Sequence, residues 1–223
     1  MIPRQVLGTA EMPDGGGELR LVQRGSELSI MLGSTELMNS RLSGSEEALA
    51  TLACERIAAR LKPNMLIGGL GMGFTLRAAL AALGKESTVT VAELVPAVVA
   101  WARGPMAHLF GDSLTDPRVS IIEADVGTLI GSARSAYDAI LLDVDNGPEG
   151  LTRKANDRLY DMKGLAGAKA ALRPGGVLAL WSSGPDRGFT KRLMRAGFRV
   201  DELVVRANGS RRGARHVIWL AGA

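Results

Sequence analysis

The chain reads as an α/β protein built on a doubly wound, mostly parallel sheet of seven strands. Three observations predict it. From Met65 onward, apolar runs of strand length alternate with helix-period segments. Several runs, such as Ala139-Ile140-Leu141-Leu142, are apolar throughout, as strands covered by helices on both faces are. A glycine-rich turn, Gly68-Gly69-Leu70-Gly71-Met72-Gly73, follows the first of these strands and opens a helix.

Taken in order, residues 1–17 end in Pro13-Asp14-Gly15-Gly16-Gly17 and read as irregular. Leu19, Leu21, Leu28, Ile30 and Leu32 alternate with polar residues around Arg24-Gly25-Ser26, the pattern of a β-hairpin. Ser43 with Glu46 three residues on has capping-box spacing and opens a helix expected to run to about Leu61, before Pro63. Strands are then expected at Met65–Gly68, Thr88–Glu93, Val119–Glu123, Ala139–Asp143, Val177–Ser182, Leu203–Arg206 and His216–Leu220. Between them, helices are expected at Phe74–Leu83, Pro96–Arg103, briefly after Asp125, Asp157–Leu172 and Phe189–Ala196.

Composition narrows the class. At 223 residues, 46% of them hydrophobic, the chain can bury a core and is not a disordered segment. No apolar run approaches the roughly 20 residues that span a bilayer, and the start lacks a secretory h-region. The single cysteine, Cys54, excludes an internal disulfide and suits a cytoplasmic protein. A net charge of +4 and pI near 9.6 mildly favour anionic partners. The densest basic stretch, with Arg206, Arg211, Arg212 and Arg215, lacks interleaved aromatics. It reads as a solvated hairpin loop, and nucleic acid is not an expected partner.

In a doubly wound sheet, ligands bind beyond the carboxyl ends of the strands. The residues at those ends are Gly68 to Gly73, Glu93, Asp125 and Asp143. Glu93 lies 20 residues after Gly73, the spacing of a carboxylate that grips ribose hydroxyls. A nicotinamide-binding oxidoreductase shares both features. Asp125 and Asp143 favour a different ligand: acids at three strand ends repel a pyrophosphate and suit adenosine carried on a cationic sulfonium. Each acid at a βα junction also reads as a helix N-cap. His108 and His216 are isolated, so no metal site is expected. Cys54 and the tryptophans read as core, with Trp181 at a strand end that borders the ligand region.

From about Leu66 to Leu180 the chain resembles the spermidine synthase branch of the class I S-adenosylmethionine-dependent transferases. The matching pieces are Leu66-Ile67-Gly68-Gly69, Val91-Ala92-Glu93-Leu94, Glu123-Ala124-Asp125, Tyr137-Asp138-Ala139-Ile140-Leu141-Leu142-Asp143, Leu159-Tyr160 and Leu172-Arg173-Pro174-Gly175-Gly176. The resemblance implies a class I methyltransferase-like Rossmann fold over residues 45–223, preceded by a β-hairpin region over 1–44. It implies S-adenosylmethionine, or its decarboxylated form, held by Gly68, Gly69, Gly71, Gly73, Glu93, Leu94, Asp125, Val126 and Asp143. It also implies a homodimer.

Three features depart from that branch. Asp143-Val144-Asp145-Asn146-Gly147-Pro148 is shorter than the family's acidic loop, Gly71 stands where the family keeps an aspartate, and Ser45-Glu46-Glu47-Ala48-Leu49 lacks its Tyr-His pair. On this basis methyl transfer to a small amine-bearing, polyamine-like acceptor is placed ahead of aminopropyl transfer, which stands as the alternative. The catalytic candidates are Asp143 to deprotonate the nucleophile, Asp145 to hold the acceptor and Tyr160 to supply a hydroxyl. A non-catalytic adenosyl-binding module is the remaining reading.

Overall fold

In the computed structural model, which describes residues 2–144, 156–208 and 213–223, the chain starts with four antiparallel strands. These are β1 (Gln5–Glu11), β2 (Glu18–Arg24), β3 (Glu27–Leu32) and β4 (Thr35–Asn39), joined in chain order. The expected hairpin is β2–β3. Both outer strands escaped the sequence pattern because an edge strand need bury only one side. In β1 no residue is fully buried, and a bulge between Val6 and Gly8 breaks the alternation. Gly8 lies under Trp101, and a Cβ there would meet the indole Nε1 at 2.4 Å.

Helix α1 (Gly44–Arg56) ends earlier than Leu61, and the capping box does not form. Ser43 sits at the N-cap without a side-chain bond. The Glu46 side chain instead bonds Ser45.

The larger sheet follows: β5 (Asn64–Gly68), β6 (Thr88–Glu93), β7 (Val119–Glu123), β8 (Tyr137–Leu142), β9 (Leu172–Ser182), β10 (Arg199–Arg206) and β11 (Arg215–Gly222). Its order is β7-β6-β5-β8-β9-β11-β10, with β5 to β9 parallel and the last two strands antiparallel. Helices α2 (Phe74–Ala82), α3 (Pro96–Arg103), α4 (Ala107–Phe110), α5 (Val126–Ser132), α6 (Asp157–Tyr160), α7 (Met162–Ala171) and α8 (Arg187–Arg195) connect the strands. The one helix expected over Asp157–Leu172 is two, because the Asp161 side chain accepts from Gly164 N and starts α7 afresh.

The apolar runs serve two cores. Met65, Ile67, Ala139 and Leu141 join the residues of the small sheet and Leu49, while Leu66, Ile140 and Leu142 pack with Leu165, Phe189 and Trp219 on the other face. Alternate residues of one strand point to opposite faces, so a strand between two cores carries no polar side. No helix among the described residues is long and apolar enough to cross a membrane. The switch in strand order falls between β5 and β8, where β6 departs to one side and β9 to the other. That crevice is where such a sheet places its ligand.

Candidate active site

The site is built at the carboxyl ends of β5, β6 and β8. Backbone bonds hold these ends in register: Gly69 N donates to Ala92 O at 2.9 Å, Asp143 N to Gly68 O at 3.0 Å and Ala124 N to Glu93 O at 2.9 Å. The loop after β5 must pass close to the end of β8. Gly69 makes this possible at φ +92°, since a Cβ would lie 2.5 Å from the Asp143 carbonyl oxygen. Gly71, at φ +49°, passes beneath Met38 of β4, where a Cβ would come within 2.9 Å of the thioether methyl. An aspartate at this position would meet both backbone strain and Met38.

Glu93 is 7% exposed, and both its carboxylate oxygens are used by the chain. Oε2 accepts from Leu70 N and Oε1 from Val95 N, each at 2.9 Å. Burial raises its pKa, while the surrounding backbone N–H groups oppose the rise. Glu93 therefore clamps the glycine loop to the end of β6 while remaining in the pocket wall. Asp125 is the N-cap of α5, accepting from Gly127 N at 2.7 Å, and it too lines the pocket. Capping and pocket-lining coexist in this one residue.

Asp143 follows β8. Its Oδ2 accepts from the Thr75 hydroxyl at 2.6 Å. Its pKa is raised to about 7, first by burial and then by the Glu46 charge, with the Thr75 bond pulling the other way. A carboxyl half-protonated near neutrality is suited to accept a proton from a nucleophile.

The pocket brings together Gly69, Gly71, Glu93, Leu94, Asp125, Val126 and Asp143 from the expected set. Gly68 and Gly73 lie behind it. Gly68 backs onto Val126 and Leu142, and Gly73 turns into α2 against the Phe110 ring. Tyr160 is buried in the second core: its hydroxyl donates to Val144 O at 3.1 Å and its ring meets Phe189 edge-on. It braces the chain beside Asp143 and is not part of the pocket wall. Asp145, with Asn146 to Pro148, lies outside the described residues.

Several wall residues were not anticipated. Leu19, Ile30, Leu37 and Met38 of the small sheet, with Met12 just after β1, form an apolar roof, and Glu46 and Asn156 enter from helix starts. From sequence Glu46 reads as part of a capping box, and Thr75 carries no sequence signal. Trp181 borders the pocket as its strand-end position implies. Four carboxylates thus face one cavity whose described wall contains no Lys, Arg or His. Among the described residues no three His, Cys, Asp or Glu side chains are grouped to hold a metal.

No family model matches the chain. Over 125 residues it is 34% identical to Polyamine aminopropyltransferase 1 of Streptomyces coelicolor, a match spanning 55% of this chain and 22% of that protein. The chain therefore covers about a fifth of that relative's length. Among solved structures, the spermidine synthase of Thermotoga maritima superposes with a TM-score of 0.76 at 17% identity, over 98% of this chain and 72% of the other. A spermidine synthase in complex with the transition-state analogue AdoDATO has the same identity and coverage, with a TM-score of 0.75. Human methyltransferase-like protein 13 in complex with SAH gives a TM-score of 0.54 at 22% identity, over 78% of each chain. The chain has the spermidine synthase-like class I methyltransferase fold.

Proposed function

We propose that the chain is a transferase of the polyamine aminopropyltransferase type, using decarboxylated S-adenosylmethionine and a small alkylamine acceptor. The observation that carries this reading is the wall with four carboxylates and, among its described residues, no cation. S-adenosylmethionine brings a carboxylate that such a wall repels, whereas the decarboxylated donor brings only positive charge. The relatives' names support the same choice, so aminopropyl transfer moves ahead of the methyl transfer favoured on sequence.

The residues fit the donor. Gly69 and Gly71 leave room where any Cβ would collide with the chain, and Glu93 and Asp125 present oxygens at the ends of adjacent strands for ribose hydroxyls and the adenine amino group. When bound, the donor supplies an electrophilic carbon next to a sulfonium. An amine acceptor attacks only as the free base, so one proton must leave its ammonium. Asp143 takes that proton and Thr75 holds the carboxylate oriented. The apolar roof from the small sheet keeps water from the attacked carbon.

Methyl transfer is the second reading, and Gly71 is what favours it, because the family resemblance puts a donor-binding aspartate there. Calorimetry with decarboxylated S-adenosylmethionine, S-adenosylmethionine, methylthioadenosine and NAD tests both. The decarboxylated donor should bind at least tenfold tighter than S-adenosylmethionine. The reverse order restores methyl transfer, and binding of NAD alone removes both readings.

A further inference from the structure

Glu46 breaks a local rule. It occupies the position from which a glutamate normally reaches back to cap its own helix, yet the cap is unmade and the side chain bonds Ser45 beside the pocket. A stabilising local contact given up next to a cavity marks a residue held for another purpose.

The holding is specific. The Ser45 hydroxyl, fully buried, donates to Glu46 Oε2 at 2.6 Å, and Ser45 Oγ lies 2.8 Å from Nδ1 of His216 on β11. With Glu46 ionised, the single hydroxyl hydrogen goes to the carboxylate, so His216 donates through Nδ1–H. His216 is in turn fixed edge-on against Trp181, with ring centroids 4.8 Å apart. Trp181 lines the same pocket as Glu46. Thr75 sits between the two residues: its hydroxyl donates to Asp143 Oδ2 at 2.6 Å, and its Oγ1 lies 3.3 Å from the backbone carbonyl of Glu46. The next residue, Glu47, is exposed and has no place in this pocket.

Resting on the transferase reading above, we propose that Glu46 is the acceptor-selecting carboxylate, holding the charge of a primary alkylammonium against the Trp181 side of the pocket. Asp143 takes the proton from the attacking amine, while Glu46, set by Ser45 and His216, supplies the fixed negative charge that brings a cation there. A carboxylate and an aromatic ring lining one cavity supply the chemistry that recognises alkylammonium groups. In the reaction the amine nitrogen forms a bond to the donor carbon, the carbon–sulfur bond breaks with its electron pair going to sulfur, and one proton passes to Asp143. Ser45 and His216 are positioning residues, acting through Glu46.

The test is titration of 1,4-diaminobutane into the full chain saturated with methylthioadenosine, for wild type and for Glu46→Gln, Ser45→Ala and Glu47→Gln. Glu46→Gln should weaken diamine binding at least tenfold and Ser45→Ala by a smaller factor. Glu47→Gln should match wild type, and methylthioadenosine should bind all four alike. Equal diamine affinity in wild type and Glu46→Gln, or no diamine binding to either, overturns the role of Glu46. Loss of methylthioadenosine affinity in Glu46→Gln also overturns it, because the residue then acts on the donor site or the fold. Absence of methylthioadenosine binding to wild type removes the transferase reading itself, and this role with it.

Discussion

The Thr75 hydroxyl and the Asp143 carboxylate meet at 2.6 Å, joining the first turn of α2 to the end of β8 across the switch in strand order. The bond favours the ionised carboxyl, against burial and the Glu46 charge. Thr75→Val keeps the shape and removes the donor, so Asp143 should hold its proton to higher pH. The acidic limb of the pH–rate profile should move upward by about one unit, as expected for losing a hydrogen bond of roughly 1.5 kcal/mol to a charged group. Thr75→Ser should restore the wild-type profile. An unshifted limb in Thr75→Val would show that Asp143 is not the titrating base.

Glu93 clamps the glycine loop and, on the proposed reading, holds the donor, two roles that substitution can separate. Glu93→Ala leaves Leu70 N and Val95 N without their acceptor, a loss of about 1–3 kcal/mol for each buried group. Glu93→Gln keeps one acceptor oxygen and should lose less stability while still weakening adenosyl binding. Urea denaturation and methylthioadenosine calorimetry on both variants check this. Equal stability loss in the two would mean that the glycine loop does not depend on the carboxylate.

How far the sequence anticipated this site depends on what each residue leans on. Glu93, Asp125 and Asp143 are legible because strand period and chain polarity alone place them at strand ends. Glu46 is not, because its position on α1 suits a cap equally well, and its direction is set by Ser45, which His216 of β11 holds in turn. Strands β1 and β4 are hidden for a related reason. Half-exposed edges carry little hydrophobic pattern, although β4 delivers Met38 to the glycine loop. The acids follow from local order, and the roof and the Glu46 side of the pocket from long-range packing.

The raised pKa of Asp143 has a consequence for stability. Its folded value of about 7 lies above the unfolded carboxyl value of about 3.9. Between these values the folded state binds more protons than the unfolded state, so stability falls as pH rises from 4 to 7 and levels off above. Asp143→Asn removes that penalty. The variant should gain melting temperature relative to wild type at pH 8 and lose the advantage at pH 4, at about 2–4 °C per kcal/mol for a chain of this size. Melting curves of the two proteins across this range test it. A constant difference across pH would contradict a titrating Asp143.

At the opposite end of β8, Asp138 explains why two stretches of the sequence belong together. It is 1% exposed and its Oδ2 accepts from Asn64 N at 2.8 Å and Arg173 Nη1 at 2.7 Å, with Arg60 Nε 3.4 Å from Oδ1. The aspartate of Tyr137-Asp138 and the arginine of Leu172-Arg173-Pro174 are thus partners across adjacent parallel strands, with β5 attached through Asn64. The cluster lies at the amino ends of the strands, away from the pocket. Asp138→Asn would leave two guanidinium groups without their carboxylate and weaken the bond to Asn64 N. Breaking a buried pair from one side costs about 3–5 kcal/mol. Because both arginines are more than a third exposed, the loss here should fall below that range, at about 2–3 kcal/mol. Methylthioadenosine affinity below the melting transition should stay within twofold of wild type. A variant that melts normally but binds the ligand tenfold more weakly would reverse this assignment and tie Asp138 to the pocket.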